Sequence, residues 1–153
     1  MLKKLLLLVF VLVVLAIAVT ILLAQRRPEL GPEDGSLRAC PRSPNCVCSQ
    51  RGDDEHRVEP LYAGADCAAA WARARELLAA HPRTRLIEER DDYRRYEITT
   101  RFLRYVDDLE LLLVPSTTTI HVRSASRVGR SDFGVNRARV EALRAELAAA
   151  LGG

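Results

Sequence analysis

The sequence predicts an α+β domain, in which an antiparallel sheet of about four strands has two helices packed on one face, preceded by one N-terminal transmembrane helix. Three observations predict this class. Residues 5–24 form a nearly continuous apolar run. Two segments with helical periodicity lie on either side of the remaining chain. Between them lie strand-like segments, joined by turns short enough to require antiparallel pairing.

The apolar run over residues 5–24 predicts a membrane anchor that occupies residues 1–25. Twenty residues that each rise about 1.5 Å span roughly 30 Å, the thickness of a bilayer core. The alternative is a cleaved signal peptide, since Ala16-Ile17-Ala18 resembles a cleavage site. The apolar region of a signal peptide is about 7–15 residues long, and here it continues past that site. We therefore favour an uncleaved anchor that inserts into the bilayer through residues 5–24.

The charges beside the run predict its orientation. Lys3, Lys4 and the terminal amine precede it, and Arg26 and Arg27 follow it. This small difference favours a cytoplasmic N-terminus. The globular domain would then face outward, which in a bacterial inner membrane is the periplasm.

The remaining chain divides into a linker over residues 26–39 and a globular domain over residues 40–153. The linker contains two Pro and two Gly without an apolar period, as in a tether. From Pro28 onward, 19 Arg face 20 acidic residues, although the whole chain has a net charge of +3. A nearly neutral domain argues against a nucleic-acid partner, which requires a basic face.

The two helices of the domain are predicted from their apolar stripes and end signals. The first is expected to begin after Asp66, whose side chain can cap it, and to end before Pro82. The second is expected to be capped by Ser131 or Asp132. The two stripes have helical spacing: Cys67, Ala70, Trp71, Ala74, Leu77 and Leu78 in the first helix, and Val140, Leu143, Leu147 and Leu151 in the second.

Four strands are predicted between these helices. Residues 85–89 and 93–99 suggest two strands around a tight turn. Residues 102–114 have the strongest strand pattern, and a returning strand begins near Thr118 after the turn at Pro115. Period-two alternation places these residues of the third strand on one face: Leu103, Tyr105, Asp107, Leu109, Leu111 and Leu113.

Three of the four cysteines fall within nine residues, at Cys40, Cys46 and Cys48. In an oxidising compartment, a Cys40–Cys46 or Cys40–Cys48 bridge would close a small loop. A redox pair of Cys46 and Cys48 is an alternative that requires a lowered thiol pKa. The gaps of five and one residues fit zinc ligand spacing poorly, so no metal site is predicted.

Asp107 is a candidate functional carboxylate because it shares a face with apolar residues. An unpaired carboxylate there is costly, so we expect a buried ion pair with Arg123 or Arg127 on the following strand. The alternative is a general acid or base with a raised pKa. With its neighbour Asp108 and with Asp132, it forms the predicted polar cluster.

The run over residues 122–137 concentrates hydrogen-bonding side chains at a junction between a strand and a helix. Backbone donors at a helix start, with arginines nearby, can form an anion site. The candidate ligands of an anionic small molecule or lipid head group are Arg123, Ser124, Ser126, Arg127, Asn136 and Arg137. The alternative is that Ser124, Ser126, Asp132 and Asn136 satisfy the loop backbone and that the arginines pair with Asp107, Asp108 or Glu110. No cofactor is predicted.

Three segments together resemble the family catalogued as domain of unknown function 1499. They are Cys-Pro-x-Ser-Pro-Asn-Cys-Val at 40–47, the Val-Asp-Asp strand at 105–108 and the long polar motif at 122–137. The resemblance covers essentially the whole domain outside the anchor. Cys48 stands where many relatives carry Ser, so the resemblance favours Cys40–Cys46 as the bridged pair. It implies no established activity, cofactor or catalytic residue, but supports one site made from the three segments.

These features predict an envelope protein that binds or scaffolds. The alternative from another class is an enzyme, with Asp107 or Asp132 as acid or base and Cys46 or Ser126 as nucleophile. A third hypothesis is a thiol-redox role for Cys46 and Cys48. If the acid, base and nucleophile candidates line one open pocket, the enzyme is favoured; if buried pairs and caps engage them, it is disfavoured.

Overall fold

The structure is a computed structural model in which residues 1–152 are described. The elements in chain order are α1 (Leu2–Ala24), β1 (Cys46–Cys48), β2 (Tyr62–Ala63), α2 (Cys67–Ala80), β3 (Thr84–Glu89), β4 (Tyr93–Thr99), β5 (Val106–Val114), β6 (Thr119–Ser126) and α3 (Val135–Leu151). This is the predicted mixed α+β class, with the long apolar helix at the N-terminus.

One antiparallel sheet runs in the order β1-β6-β5-β4-β3, and β2 also pairs with β6. The described sheet therefore has six strands, where the sequence predicted about four. The two additional strands lie end to end along β6, with β1 opposite residues 123–125 and β2 opposite residues 119–120. They are three and two residues long, so neither is long enough to show the alternation that identifies a strand in sequence.

Helices α2 and α3 pack together on one face of the sheet, as predicted. The stripes of both helices meet the inward side chains of the central strands in one core, which contains Trp71, Tyr96, Leu109, Val122 and Leu143. Burial of each large apolar side chain is worth roughly 1.5–3 kcal/mol. This layer holds the ends of β5 and β6 in a fixed position relative to the N-terminus of α3.

The helix caps differ in part from the prediction. Asp66 precedes α2 but makes no side-chain cap hydrogen bond. Asp132 does cap α3, since its Oδ1 accepts from Gly134 N at 3.0 Å and its Oδ2 from Asn136 N at 2.7 Å. The carboxylate thus satisfies amides that a helix start leaves unpaired.

Strand β5 begins at Val106, four residues later than predicted. Arg104 has a positive φ of 53°, which ends the pleat, and the amide of Tyr105 donates to the Thr100 hydroxyl at 2.9 Å. Residues 101–104 therefore form a turn. Phe102 and Leu103 are exposed there, so the placement of Leu103 on the core face was wrong.

Helix α1 is long and apolar enough to cross a membrane, with a mean hydropathy of 3.5. A membrane anchor and a signal sequence both have this composition. Its last turn touches the domain. The Thr20 hydroxyl lies 3.2 Å from the Tyr105 hydroxyl, and the Gln25 side chain donates to the Arg104 carbonyl at 3.1 Å. Ala24 is fully buried.

The segment over residues 26–39, expected to be a linker, contains no helix or strand. Parts of it nevertheless pack on the sheet face opposite the helices. Leu37 is fully buried there beside Tyr93 and Leu112, and the Pro28 carbonyl accepts from Arg95 at 3.0 Å. The segment therefore covers a sheet face that would otherwise be open to water.

Candidate functional site

The two neighbouring aspartates of β5 point to opposite faces of the sheet. Asp107 lies on the helix face, opposite Ser126 of β6, whereas Asp108 lies on the other face, opposite Ala125. Both carboxylates are almost completely buried. The same alternation along β6 separates the serines from the arginines. The residues predicted to form one anion site are therefore divided between two sides of the sheet.

On the helix face, Asp107 forms the buried ion pair that its position requires, but with a different partner. Its Oδ2 accepts from Arg139 of α3 at 2.6 Å. The predicted partners, Arg123 and Arg127, lie on the other face of the sheet and do not pair with it. The sequence reasoning overlooked Arg139, whose position next to the stripe residue Val140 was the available signal.

Asn136 lies beside this pair and is fully buried. Its amide donates to the Asn45 carbonyl and to the Ser126 hydroxyl, both at 3.0 Å. Its carbonyl accepts from the Ser124 hydroxyl at 2.6 Å and from Arg139 at 2.5 Å. One side chain thus connects the loop before β1 with β6 and α3. This arrangement stabilises the fold and consumes the donors of Ser124 and Asn136.

On the opposite face, Arg127 binds Asp108 with both arms of its guanidinium. The Nε–Oδ2 distance is 2.7 Å and the Nη2–Oδ1 distance is 2.8 Å. Arg95 binds the same carboxylate from β4, at 2.8 and 3.0 Å. Arg127 also donates to Glu97 at 2.7 Å and to the Ala24 carbonyl at 3.3 Å. Burial lowers the pKa of Arg127, but its hydrogen bonds to the two carboxylates outweigh burial and raise it.

Glu97 is the outer member of this network. Burial raises the pKa of its carboxyl, but hydrogen bonds from Arg27 and Arg127 have the larger combined effect and bring the pKa down to about 2. Arg27 donates to it at 2.7 Å from the segment that follows α1. The carboxylate is therefore charged throughout the neutral range and ties that segment to the sheet.

A second buried pair adjoins the network. Arg123 Nη1 lies 2.8 Å from Glu110 Oε2, and the Tyr93 hydroxyl donates to Glu110 Oε1 at 2.9 Å. Burial and the Glu110 charge raise the pKa of Tyr93, so its hydroxyl remains a donor. The Nε of Arg123 is buried without a hydrogen-bond partner in the described structure. This is a donor that folding leaves unused.

A cleft of about 490 Å³ lies between the residues that follow α1 and the end of β6. Its charged lining consists of Arg26, Arg27, Asp108, Arg123 and Arg127. The remaining lining is Leu23, Pro28, Leu30, Pro41, Ala125, Ser126 and Val128. Arg26 is exposed, and the described residues offer it no ion pair or side-chain hydrogen bond.

Three of the six predicted anion ligands line the cleft, namely Arg123, Ser126 and Arg127, but the Ser126 hydroxyl is bound by Asn136 on the helix face. Arg137 lies apart from it and donates to the carbonyls of Glu55 and Arg57, each at 2.7 Å. Arg95 and Glu97 complete the network beside the cleft and were missed, whereas the pair of Arg123 with Glu110 is one that the alternative interpretation of the motif had allowed. Charged residues at every second position of β4 and β5 were the signal that could have identified them.

The groups named for an enzymatic reaction do not share one pocket. Ser126 lines the cleft, whereas Asp107 is paired on the helix face and Asp132 caps α3. Cys46 forms a disulfide with Cys40, which is the pairing that the family resemblance favoured.

The redox pair of Cys46 and Cys48, which was an alternative to the structural bridge, is not available in the described structure because Cys46 is bonded to Cys40. Cys48 is a free, buried thiol, as is Cys67, whose pKa is raised by burial. In the described structure, the candidate acid, base and nucleophile are not close together, and the two thiols of the redox hypothesis are not both free.

A family model described as "Protein of unknown function (DUF1499)" matches residues 36–147 of the chain. Comparisons with curated proteins and with solved structures found no match. The matched range holds every strand of the sheet, α2 and most of α3, and it begins just before the buried Leu37. The chain therefore belongs to the DUF1499 family of proteins of unknown function.

Proposed function

We propose that this protein is a single-pass, membrane-anchored envelope domain that binds an anionic amphiphile in the cleft at the end of α1. The observation that carries the proposal is the lining of the cleft. The lining combines apolar side chains with several guanidinium groups, and it lies directly beside the last residues of an apolar helix. A lipid with an anionic head group has matching chemistry.

The contacts of α1 support retention of this helix as an anchor. A signal peptide is removed, so the folded domain has no need of a binding surface for its last turn. Here Ala24 is buried, its carbonyl accepts from Arg127, and Thr20 meets Tyr105. Such contacts are expected when the helix stays attached and the domain rests against its end.

Two features support a location outside the cytoplasm. Lys3 and Lys4 precede the apolar run over residues 5–24, which favours a cytoplasmic N-terminus. The second feature is the Cys40–Cys46 disulfide. Structural disulfides persist in oxidising compartments such as the periplasm.

The charge distribution in the cleft supports an anionic ligand. Four arginines and one aspartate line the cleft, and Glu97 and Glu110 pair with three of these arginines from beside it. Arg26 has no partner among the described residues, and Arg123 keeps an unused Nε donor. Guanidinium groups bind phosphate with two parallel hydrogen bonds. Leu23, Leu30 and Val128 offer apolar surface to an acyl chain.

Native mass spectrometry of the full chain in neutral detergent tests this function. Phosphatidylglycerol and phosphatidylcholine are added in parallel, and a further series adds inorganic phosphate as competitor. We expect selective retention of phosphatidylglycerol. Displacement by phosphate would mean that the head group alone is recognised, and resistance to it would mean that the acyl chain contributes.

Arg26→Gln is the informative variant because loss of the Arg26 guanidinium breaks no ion pair within the described structure. Loss of one charge-assisted hydrogen bond should weaken phosphatidylglycerol binding about tenfold. Arg51→Gln is the matched control, since Arg51 is also exposed but lies outside the cleft lining. Equal retention of both phospholipids, or equal effects of the two substitutions, would contradict the proposal.

A further inference from the structure

Beyond residues 1–25, the large exposed apolar side chains of the described structure are concentrated at two places. They are Phe102 and Leu103, 86% and 45% exposed, and Phe133 and Val135, 95% and 49% exposed. The first pair lies in the loop between β4 and β5. The second pair lies in the loop between β6 and α3 and at the first residue of that helix. Single exposed apolar residues are ordinary, but a confined set indicates an interaction surface.

Both loops leave the same end of the sheet. At that end Thr99 pairs with Val106, and Asp107 pairs with Ser126, so the loops between β4 and β5 and after β6 are neighbours. Helix α1 ends there as well. Gln25 binds the carbonyl of Arg104 in the first loop, and Arg127 at the start of the second binds the Ala24 carbonyl.

The contact between Thr20 and Tyr105 fixes the depth of the first loop. Thr20 lies four residues before the end of α1, which corresponds to about 6 Å along the helix axis. Its hydroxyl is 3.2 Å from that of Tyr105, the residue that follows the exposed loop. With the bond from Gln25 to the Arg104 carbonyl, this contact places the end of the loop beside the last turns of an apolar helix, where a membrane would have its head groups.

The second loop presents its aromatic residue in a conformation that folding alone does not favour. Phe133 has a φ of 55°, in the left-handed region that is unfavourable for a residue with a side chain. The loop is held by local hydrogen bonds. The Ser131 hydroxyl accepts from Phe133 N at 3.2 Å, and Asp132 accepts from Gly134 N at 3.0 Å. The exposed ring of Phe133 therefore projects from a loop that local hydrogen bonds hold in place.

We propose that these two loops insert Phe102, Leu103 and Phe133 into the boundary between head groups and acyl chains of the membrane that α1 spans. Exposed arginines flank the apolar residues, at Arg101, Arg104 and Arg130. Apolar side chains with a basic rim are the combination that binds an anionic bilayer surface. The inference rests on the anchor proposed above and not on the ligand of the cleft. It gives the domain two further points of contact beside the helix, which hold the cleft at the lipid surface.

Site-specific fluorescent labelling of the full chain in liposomes tests this inference. A polarity-sensitive nitrobenzoxadiazole probe is attached to Phe102→Cys, Phe133→Cys, Ser116→Cys and Val13→Cys. The native free thiols, Cys48 and Cys67, are buried, so the unsubstituted chain serves as the labelling blank. Ser116 is an exposed control in the turn between β5 and β6. It lies one nine-residue strand, roughly 30 Å, from the proposed membrane surface.

In liposomes of phosphatidylcholine and phosphatidylglycerol, we expect the probes at 102 and 133 to shift to shorter emission wavelengths. Lipids brominated near the head group should quench them, while the probe at 116 stays unchanged. The probe at 13 reports on the anchor itself and should be quenched by lipids brominated deep in the chain. If the probe at 13 is quenched while the probes at 102 and 133 behave like the probe at 116, the anchor is supported and the proposed loop insertion is wrong. If the probe at 13 remains in water, both proposals fall.

Discussion

Arg127 and Asp108 form a two-pronged ion pair across β6 and β5, at 2.7 and 2.8 Å, with both side chains almost completely buried. The same guanidinium donates to the carbonyl of Ala24, the last residue of α1. One arginine thus connects the sheet with the end of the apolar helix, and the candidate cleft is formed around it.

Replacement of Arg127 by Ala should destabilise the domain strongly. It leaves Asp108 with one guanidinium partner instead of two, and loss of one member of a buried ion pair typically costs about 3–5 kcal/mol. Urea unfolding of the full chain in detergent, followed by circular dichroism, measures the difference. The control is Arg73→Ala, which breaks an exposed pair with Glu76 and should cost less than about 1 kcal/mol. Similar losses in the two variants would refute the structural role of Arg127.

Stability should decline in acid because of Glu97. Its pKa is about 2 in the folded protein and 4.5 for an unperturbed carboxyl. The unfolded chain therefore binds a proton first as the pH falls. The stabilisation is complete above pH 4.5 and is lost progressively from 4.5 toward 2. Unfolding free energies across this range should show a smaller acid dependence for Glu97→Gln, and an unchanged slope would argue against the pairing.

The Cys40–Cys46 bridge should contribute about 2 kcal/mol, as expected from the chain entropy of a loop of seven residues. Addition of a reductant should lower the free energy of unfolding by that amount. Cys46→Ser should be less stable and insensitive to the reductant. Alkylation in denaturant without reduction should modify two thiols, and after reduction four. Four modified thiols before reduction would exclude the bridge.

Asn136 should be among the most sensitive positions of the domain. Its removal deprives two donors and two acceptors of their partner at a fully buried site, and each group left unpaired costs about 1–3 kcal/mol. Asn136→Ala should therefore lower stability by more than about 2 kcal/mol. Ser116→Ala, at an exposed turn, should have no measurable effect. If Asn136→Ala leaves the stability unchanged, water must replace the lost hydrogen bonds, and the prediction is wrong.

Periodicity predicted the helices and the long strands because the apolar stripes of α2, α3, β5 and β6 each face one core. It missed β1 and β2, since segments of three and two residues carry no period. The buried network was predicted only in part, as the alternative in which the arginines pair with Asp108 or Glu110. Arg95 and Glu97 were missed because they lie on the sheet face away from the helices, and only the packing of residues such as Leu37 shows that this face is covered.

Only three of the six residues predicted as anion ligands line the cleft, and their arrangement was not predicted. The sequence places Ser124, Asn136 and Arg127 within a short motif, and alternation along β6 then sends the serine and the arginine to opposite faces. Which guanidinium meets Asp107 depends on how α3 crosses the sheet. That crossing is set by tertiary packing, which a one-dimensional pattern does not contain.

The intact mass of the protein extracted from the membrane fraction tests the central claim most directly, namely that α1 stays attached as an anchor. The account predicts a membrane-bound chain that retains residues 2–24. A mature chain that begins near residue 19, recovered from the soluble fraction, would contradict it.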